Sequence, residues 1–248
     1  MNYCDITKVV IEPTIKSVVQ ELVTKKHYSN KWTAATNLYA VYYKDGKHKF
    51  FDEDNLKLIG VVLYGHPVGF RVIKSISEEL ENDDVLELKR LWIEDGYGKN
   101  IESYVISQTL KMLRKDSPKT KVVISYADRN EKHKGIIYRA SNWLYQGFEI
   151  GRLDAFMYRY PNTKEWLTDR AIGERLGTNS LHGVLDKVPD MEYKVKFRKH
   201  RYLYFLCNKR EKKRLIKELK HPLVDYHHHD NDEMIPVVEK KYWELQGK

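Results

Sequence analysis

The sequence predicts an α/β fold: a mixed central sheet flanked by helices, followed by a basic C-terminal extension. Three observations carry that expectation. Asn37 to Tyr43 and Leu56 to Tyr64 are rich in β-branched and aromatic residues and read as an antiparallel hairpin. A strand at Val85 to Ile93, a tight turn, a helix and a strand at Lys121 to Tyr126 form a βαβ-type unit, whose strands should lie parallel or splayed. Positive charge is concentrated after Tyr193.

The elements follow in order. Ile6 to Glu12 is a short β-branched run, and Pro13 then opens a helical pattern. Ile15, Val18, Val19 and Leu22 fall at helical spacing, and the helix runs into His27-Tyr28-Ser29. Lys44 to Lys47 makes the hairpin turn, and Gly65-His66-Pro67 stops the second strand. Ser75 to Asp84 is polar and reads as a short helix or loop. After Val85 to Ile93 comes the turn Glu94 to Lys99, with Asn100 expected as the N-cap of the next helix. Ile101, Val105, Leu110 and Leu113 form that helix's buried stripe, and Pro118 closes it. Gly135 to Ser141 reads as a short helix, and Trp143 to Ile150 as a loop and strand. The expected layout is a catalytic core over residues 1–160, a connector over 161–192, a basic aromatic segment over 193–221 packed on the core, and a tail over 222–248. Lys209 to Lys220 should be a basic helix. Asp225 to Asp232 should be mobile, and the last dozen residues a strand or helix.

The chain has 248 residues, of which 42% are hydrophobic, enough for a substantial core. No apolar run approaches the roughly 18 residues that span a bilayer, and Met1 to Val10 lacks the pattern of a signal peptide. The two cysteines, Cys4 and Cys207, fit no metal or redox spacing. A cytoplasmic location is expected. The net charge is +9, yet Tyr193 to His221 holds twelve Lys and Arg against two Asp and Glu. The remaining 32 basic and 33 acidic residues nearly cancel. Aromatic residues interleave with that basic run. Lys194, Lys196, Arg198, Lys199, Arg201, Lys209 and Arg210 are therefore expected to contact a nucleic acid, with a solvated surface as the alternative. His227-His228-His229-Asp230 suits a transition metal in residue type, but its flanks look flexible, and no metal site is expected.

The order helix, hairpin, strand, helix, strand, short helix, strand is that of the GCN5-related N-acetyltransferases (GNAT fold). Shorter matches lie along it: His27-Tyr28-Ser29, Glu87-Leu88-Lys89-Arg90-Leu91, Asn100-Ile101-Glu102-Ser103, Ser125-Tyr126-Ala127-Asp128, Ile137 to Asn142 and Gly147-Phe148. This ordered set resembles the Mom family of phage DNA-modification proteins. The resemblance implies a GNAT-like enzyme, acting in the host cell on double-stranded DNA. It would convert adenine to N6-carbamoylmethyl adenine and so protect phage DNA from restriction. That product joins N6 to a CH2 carrying an amide, which simple acyl transfer does not give. The sequence leaves the donor open between acetyl-coenzyme A, with a later rearrangement, and a glycine-like compound. Acetyltransferases of this fold cradle the coenzyme A diphosphate on a turn before a helix, in which a Gln or Arg precedes Gly-x-Gly or Gly-x-Ala. Here that turn is Gly96-Tyr97-Gly98-Lys99-Asn100, preceded by Glu94 and Asp95, and departs from the pattern. Lys99, Asn100 and Ser103 are the residues that would hold an anion there.

Adenine N6 is a weak nucleophile, because its lone pair is delocalised into the ring, so the reaction calls for a base. Asp128, at the end of an apolar strand, either takes the N6 proton or caps a turn. Ser125 either hydrogen-bonds the donor or belongs to the sheet. Arg90, mid-strand, needs an anion: a substrate group, or an internal carboxylate such as Glu87 or Glu102. His27 either carries a proton or interacts with a helix C-terminus. Tyr138 either protonates a leaving group or packs in the core. Trp32, Trp143 and Tyr145 either stack on a flipped base or are buried. Two other functions fit: a coenzyme A-dependent N-acetyltransferase acting on a protein or small-molecule amine, and a non-catalytic nucleic-acid-binding protein.

Overall fold

The computed structural model describes residues 2–44, 56–131, 133–148, 156–196 and 198–225. The hairpin turn at Lys44 to Lys47, the His227 to Asp230 cluster, most of Asp225 to Asp232 and the C-terminal dozen lie largely or wholly outside them. In chain order the elements are β1 (Val9–Pro13), α1 (Lys16–Glu21), β2 (Asn37–Lys44), β3 (Leu56–Gly65), α2 (Phe70–Lys74), β4 (Val85–Ile93) and α3 (Ile101–Asp116). There follow β5 (Val122–Ala127), α4 (Ile136–Ala140), β6 (Leu144–Phe148), β7 (Phe156–Arg159), β8 (Leu167–Thr168), α5 (Asp169–Leu176), α6 (Leu181–Lys187), β9 (Glu192–Val195), β10 (His200–Phe205) and α7 (Lys209–Lys217). The chain divides into two compact units.

The first unit spans residues 1–127, 135–147 and 200–225. Among the described residues its sheet has the order β1-β2-β3-β4-β5-β10-β6. The hairpin β2–β3 is antiparallel, with Asn37 opposite Tyr64. β4 and β5 pair in parallel across Val85–Val122, Leu86–Val123 and Glu87–Ile124. Beyond Glu87 the two strands part, which is the expected splay. The sheet is mixed and lies between two layers of helix. Val19 and Val23 pack with Ala40, Val61 and Leu63. On the same face Ile73 and Leu215, from α2 and α7, pack on Val85, Val122, Ile124, Leu203 and Phe205. The other face carries α3, whose Thr109 Oγ1 lies 2.8 Å from the Tyr64 hydroxyl, and α4. The expected stripe of α3 (Ile101, Val105, Leu110 and Leu113) is buried, together with Ile106 and Thr109.

Several sequence expectations change. Asn100 does not cap α3 with its side chain; it sits in the left-handed region at φ 68°. Gly98, at φ 101°, begins this sharp entry to the helix, and asparagine tolerates the left-handed conformation better than most residues. The first helix ends in a π-turn, Leu22–Lys26, closed by the His27 N–H on the Leu22 carbonyl at 3.0 Å. Phe70–Lys74 is helical although its sequence gives little sign of it.

The stretch read as a basic extension contributes β10 to the interior of the main sheet, between β5 and the edge strand β6. β10 runs antiparallel to β5, with Tyr202 opposite Ser125. Alternation sends Leu203 and Phe205 to the α2–α7 face and His200, Tyr202 and Tyr204 to the α4 face. On the α4 face Tyr202 stacks on Tyr138 at 4.8 Å between centroids, and the Tyr145 hydroxyl lies 2.8 Å from Nδ1 of His200.

The second unit spans residues 128–134 and 148–199. Its sheet has the order β8-β7-β9. Residues 161–192, read as a connector, fold here as β8, α5, α6 and the first residue of β9. Ile172, Leu181, Val184 and Met191 close a core with Phe156, Tyr158, Leu167 and Tyr193. Ordered N-caps fix both helices: Thr168 accepts from the Ala171 N–H, and Ser180 from the Gly183 N–H.

Gly135 supplies a packing prediction. It opens α4 at φ 70°, and a Cβ there would collide with the Tyr202 hydroxyl and ring. Gly135→Ala is expected to cost about 2–4 kcal/mol, from left-handed strain plus overpacking. Urea unfolding with an unchanged midpoint would refute the expectation.

Candidate functional site

The chemistry-bearing groups of the first unit gather where β4 and β5 part. A β-bulge prepares the place. β4 pairs with β3 as Leu63–Arg90 and Tyr64–Leu88, which leaves Lys89 as the extra residue. Glu87 and Arg90 are three apart and would otherwise face opposite sides of the sheet. The bulge turns them to the same side, a common use of bulges beside active sites.

Arg90 is half-buried. Its Nη1 donates to its neighbour's carbonyl, Lys89 O, at 2.6 Å, and Nη2 lies 3.5 Å from Lys31 O. Its Nε is buried with no hydrogen-bond partner. Among the described residues Arg90 makes no ion pair with a carboxylate, so neither Glu87 nor Glu102 plays that part. Burial lowers its pKa, and the Tyr28 hydroxyl and the Glu87 carboxylate act in the opposite direction. A guanidinium held this way suits a planar anion or a developing negative charge.

Ser125 is fully buried on β5. Its hydroxyl lies 2.8 Å from the Tyr138 hydroxyl and 3.3 Å from the Leu88 carbonyl. That second contact falls where the β4–β5 ladder has already ended, so a side chain bridges the opening strands. Tyr138 comes from α4 and is buried, wedged between Tyr202 and Trp143. Burial pushes its pKa up to about 12, Ser125 opposes this by hydrogen bonding, and Tyr28 and Glu87 add to the rise. Tyr28 and Glu87 thus act electrostatically on both Arg90 and Tyr138.

The π-turn delivers His27 and Tyr28. His27 is buried and accepts the Ser29 N–H at Nδ1, 3.1 Å away, with the Ser29 hydroxyl at 2.9 Å. That amide leaves the ring proton of a neutral imidazole on Nε2. Tyr28 is exposed and lies against the His27 ring, 4.3 Å between centroids.

Tyr138 has a pH consequence. Its folded pKa lies above the ordinary value of 10. The folded state therefore holds this proton more tightly than the unfolded state does. Stability from this group is intact below pH 10 and is lost as pH climbs from about 10 toward 12. Tyr138→Phe should flatten that alkaline loss, read as the unfolding midpoint against pH; an unchanged slope would refute it.

Asp128 directly follows β5 but belongs to the second unit. There its Oδ2 lies 3.0 Å from the Lys199 ammonium, so Lys199 is engaged by a carboxylate. In the same unit Lys196 lies 3.4 Å from Asp169, and Lys194 lies over the Trp166 ring at 4.3 Å, which Arg159 also approaches at 4.6 Å. Arg198 is half-buried.

Arg201 leaves the expected surface set. It is 2% exposed, on the α2–α7 face, with Nη2 3.0 Å from the Ser75 hydroxyl; alternation along β10 turns it inward. Lys209 and Arg210 are exposed on α7. Trp143 and Tyr145 are 1% and 4% exposed, too enclosed to stack on a base. Trp32 is partly buried against the α1 core. Lys99, Asn100 and Ser103 do come together, in a cavity of about 310 Å³ at the head of α3 that Tyr3, Cys4 and Tyr104 also line. Sequence reasoning missed that Glu87 faces the same side of the sheet as Arg90 and that Tyr202 stacks on Tyr138; the bulge and the β10 pairing that place them are long-range.

The Mom protein family matches residues 8–226. The chain belongs to the Mom protein family. A Mom-family relative, the methylcarbamoylase mom of Escherichia phage Mu, is 29% identical over 205 residues, 82% of this chain and 77% of that protein. Solved structures of similar shape include an N-acetyltransferase from Staphylococcus aureus Mu50, with TM-score 0.40, 11% identity, and 81% and 99% of the two chains covered. Another is a GNAT-family acetyltransferase from Bacillus anthracis, with TM-score 0.42, 11% identity, and 80% and 95% covered. No helix among the described residues of this Mom-family chain is long and apolar enough to cross a membrane.

Proposed function

We propose that this chain is a transferase that modifies adenine at N6 in double-stranded phage DNA, giving the N6-carbamoylmethyl base and protecting that DNA from restriction in the host cytoplasm. The observation that carries the reading is Arg90, half-buried at the split with no carboxylate partner, in a chain of the Mom family. Arg90 holds the negative charge that develops on the donor. Tyr138 stays protonated at neutral pH and serves as the proton donor to the leaving group, and Ser125 hydrogen-bonds the phenolate that remains. His27 presents Nε2–H as a further donor. Asp128 is the proposed acceptor of the N6 proton, held by Lys199. The relative named a methylcarbamoylase supports the product class.

The test is expression in bacteria, followed by mass spectrometry of nucleosides from total DNA and RNA. A modified deoxyadenosine that disappears with Asp128→Ala is the expected result. Unmodified DNA from abundant, folded protein would contradict the reading, and a modified adenosine in RNA would redirect it.

A further inference from the structure

The GNAT fold implies a coenzyme A diphosphate held by backbone N–H groups of the turn before α3, so the residues present there decide whether it fits. They do not fit. A diphosphate needs free amides and close approach to the glycines. Here the Lys99 N–H donates to the Asn2 carbonyl at 2.9 Å, and the Cys4 N–H donates to the Lys99 carbonyl at 3.0 Å. Tyr3 and Lys99 thereby form a parallel β-bridge. Gly98 is pressed against the same segment: a Cβ on it would lie 2.6 Å from the Cys4 nitrogen and 2.8 Å from the Tyr3 carbonyl carbon. The glycine that would let a phosphate approach instead lets the chain's own backbone approach.

Charge acts in the same direction. Glu94 and Asp95 precede the turn. The Cys4 thiol is held above its ordinary range by burial, and then by the Asp5 and Glu102 carboxylates. The surroundings of Cys4 therefore disfavour a further negative charge, and a diphosphate brings more than one.

We propose that residues 2–4 close the diphosphate cradle of this fold, so that the chain does not bind coenzyme A, or any nucleotide diphosphate, at the head of α3. The group transferred at the β4–β5 split then comes from a donor that is not anchored there by a diphosphate. This inference concerns binding alone and stands apart from the identity of the nucleic-acid substrate.

The test is calorimetric titration of the full chain with acetyl-coenzyme A and with ADP, alongside hydrogen exchange at the Cys4 and Lys99 amides. The expected result is a Kd weaker than ~1 mM for both ligands, with both amides protected from exchange. Two variants open the cradle. Deletion of residues 2–4 removes the strap, and Cys4→Pro removes one of its donors without shortening the chain. Each should gain at least about tenfold in affinity for acetyl-coenzyme A, ~1.4 kcal/mol, with its fold checked by circular dichroism. Micromolar binding by the intact chain would overturn the proposal. So would folded variants of both kinds that bind no better than the intact chain, because the strap would then not be what excludes the ligand.

Discussion

Arg90→Ala is expected to lower the yield of modified deoxyadenosine by about 10²–10³-fold, the usual loss when one donor to a developing charge is removed. Stability should move little, or in the opposite direction. Arg90 is half-buried, its Nε is unsatisfied, and it makes no ion pair with a carboxylate among the described residues, Glu87 offsetting the burial only in part. Replacement by an apolar residue of similar length, Arg90→Met, should therefore preserve or raise the unfolding free energy, by up to ~1–2 kcal/mol. Loss of activity with retained stability separates a functional arginine from a structural one. Arg90→Lys keeps the charge but not the planar fork, and should remain strongly defective. The readouts are nucleoside mass spectrometry and urea unfolding of the same preparations. Full modification by Arg90→Ala, or collapse of its fold, would end the assignment.

Removing charge from α7 should weaken DNA binding in a way that salt reveals. Lys209, Arg210, Lys213 and Lys217 are exposed and without ion-pair partners among the described residues. Lys209, Lys213 and Lys217 repeat every four residues, so they form one row along the helix, with ~6 Å between successive members. The other cations of α7 are engaged: Arg214 with Glu79 and Glu218, and Lys212 over the Phe205 ring. Each phosphate contact contributes about 0.9 to the slope of log K against log salt. The quadruple alanine variant should therefore lose ~3–4 units of slope, while Lys212→Ala changes it by less than one. Fluorescence anisotropy of a labelled duplex across a salt series measures both. An unchanged slope in the quadruple variant would remove α7 from the interface.

Legibility of the sequence followed the range of the forces involved. β4 and α3 were readable because their signals are local: a β-branched run, and apolar residues at helical spacing. The turn before α3 was visible as a departure from the fold's pattern. What fills it was not, because residues 2–4 reach it only through tertiary structure. The bulge at Lys89 left no mark, since an extra residue exists only relative to a partner strand. β10 was hidden by its own charges. Lys199 and Arg201 made His200 to Phe205 resemble the surface run around it, although one cation belongs to an ion pair in the second unit and the other is buried. Residues 161–192 were read as a connector because their core of scattered apolar positions is thin and polar residues separate its members.

The place of β10 has a consequence for how the molecule is made. β5 carries Ser125 and is paired on one side by β4 over three residues, and on the other by β10 along its whole length. β10 emerges from the ribosome only after the described part of the second unit, which ends at Lys199, has been synthesised. Until then β5 presents an open edge, and the hydroxyl pair of Ser125 and Tyr138 lacks the Tyr202 ring behind it. A nascent chain stalled before residue 200 would carry all of the side chains proposed for catalysis but should fold no working centre. Premature release there would yield an aggregation-prone sheet edge rather than a weaker enzyme.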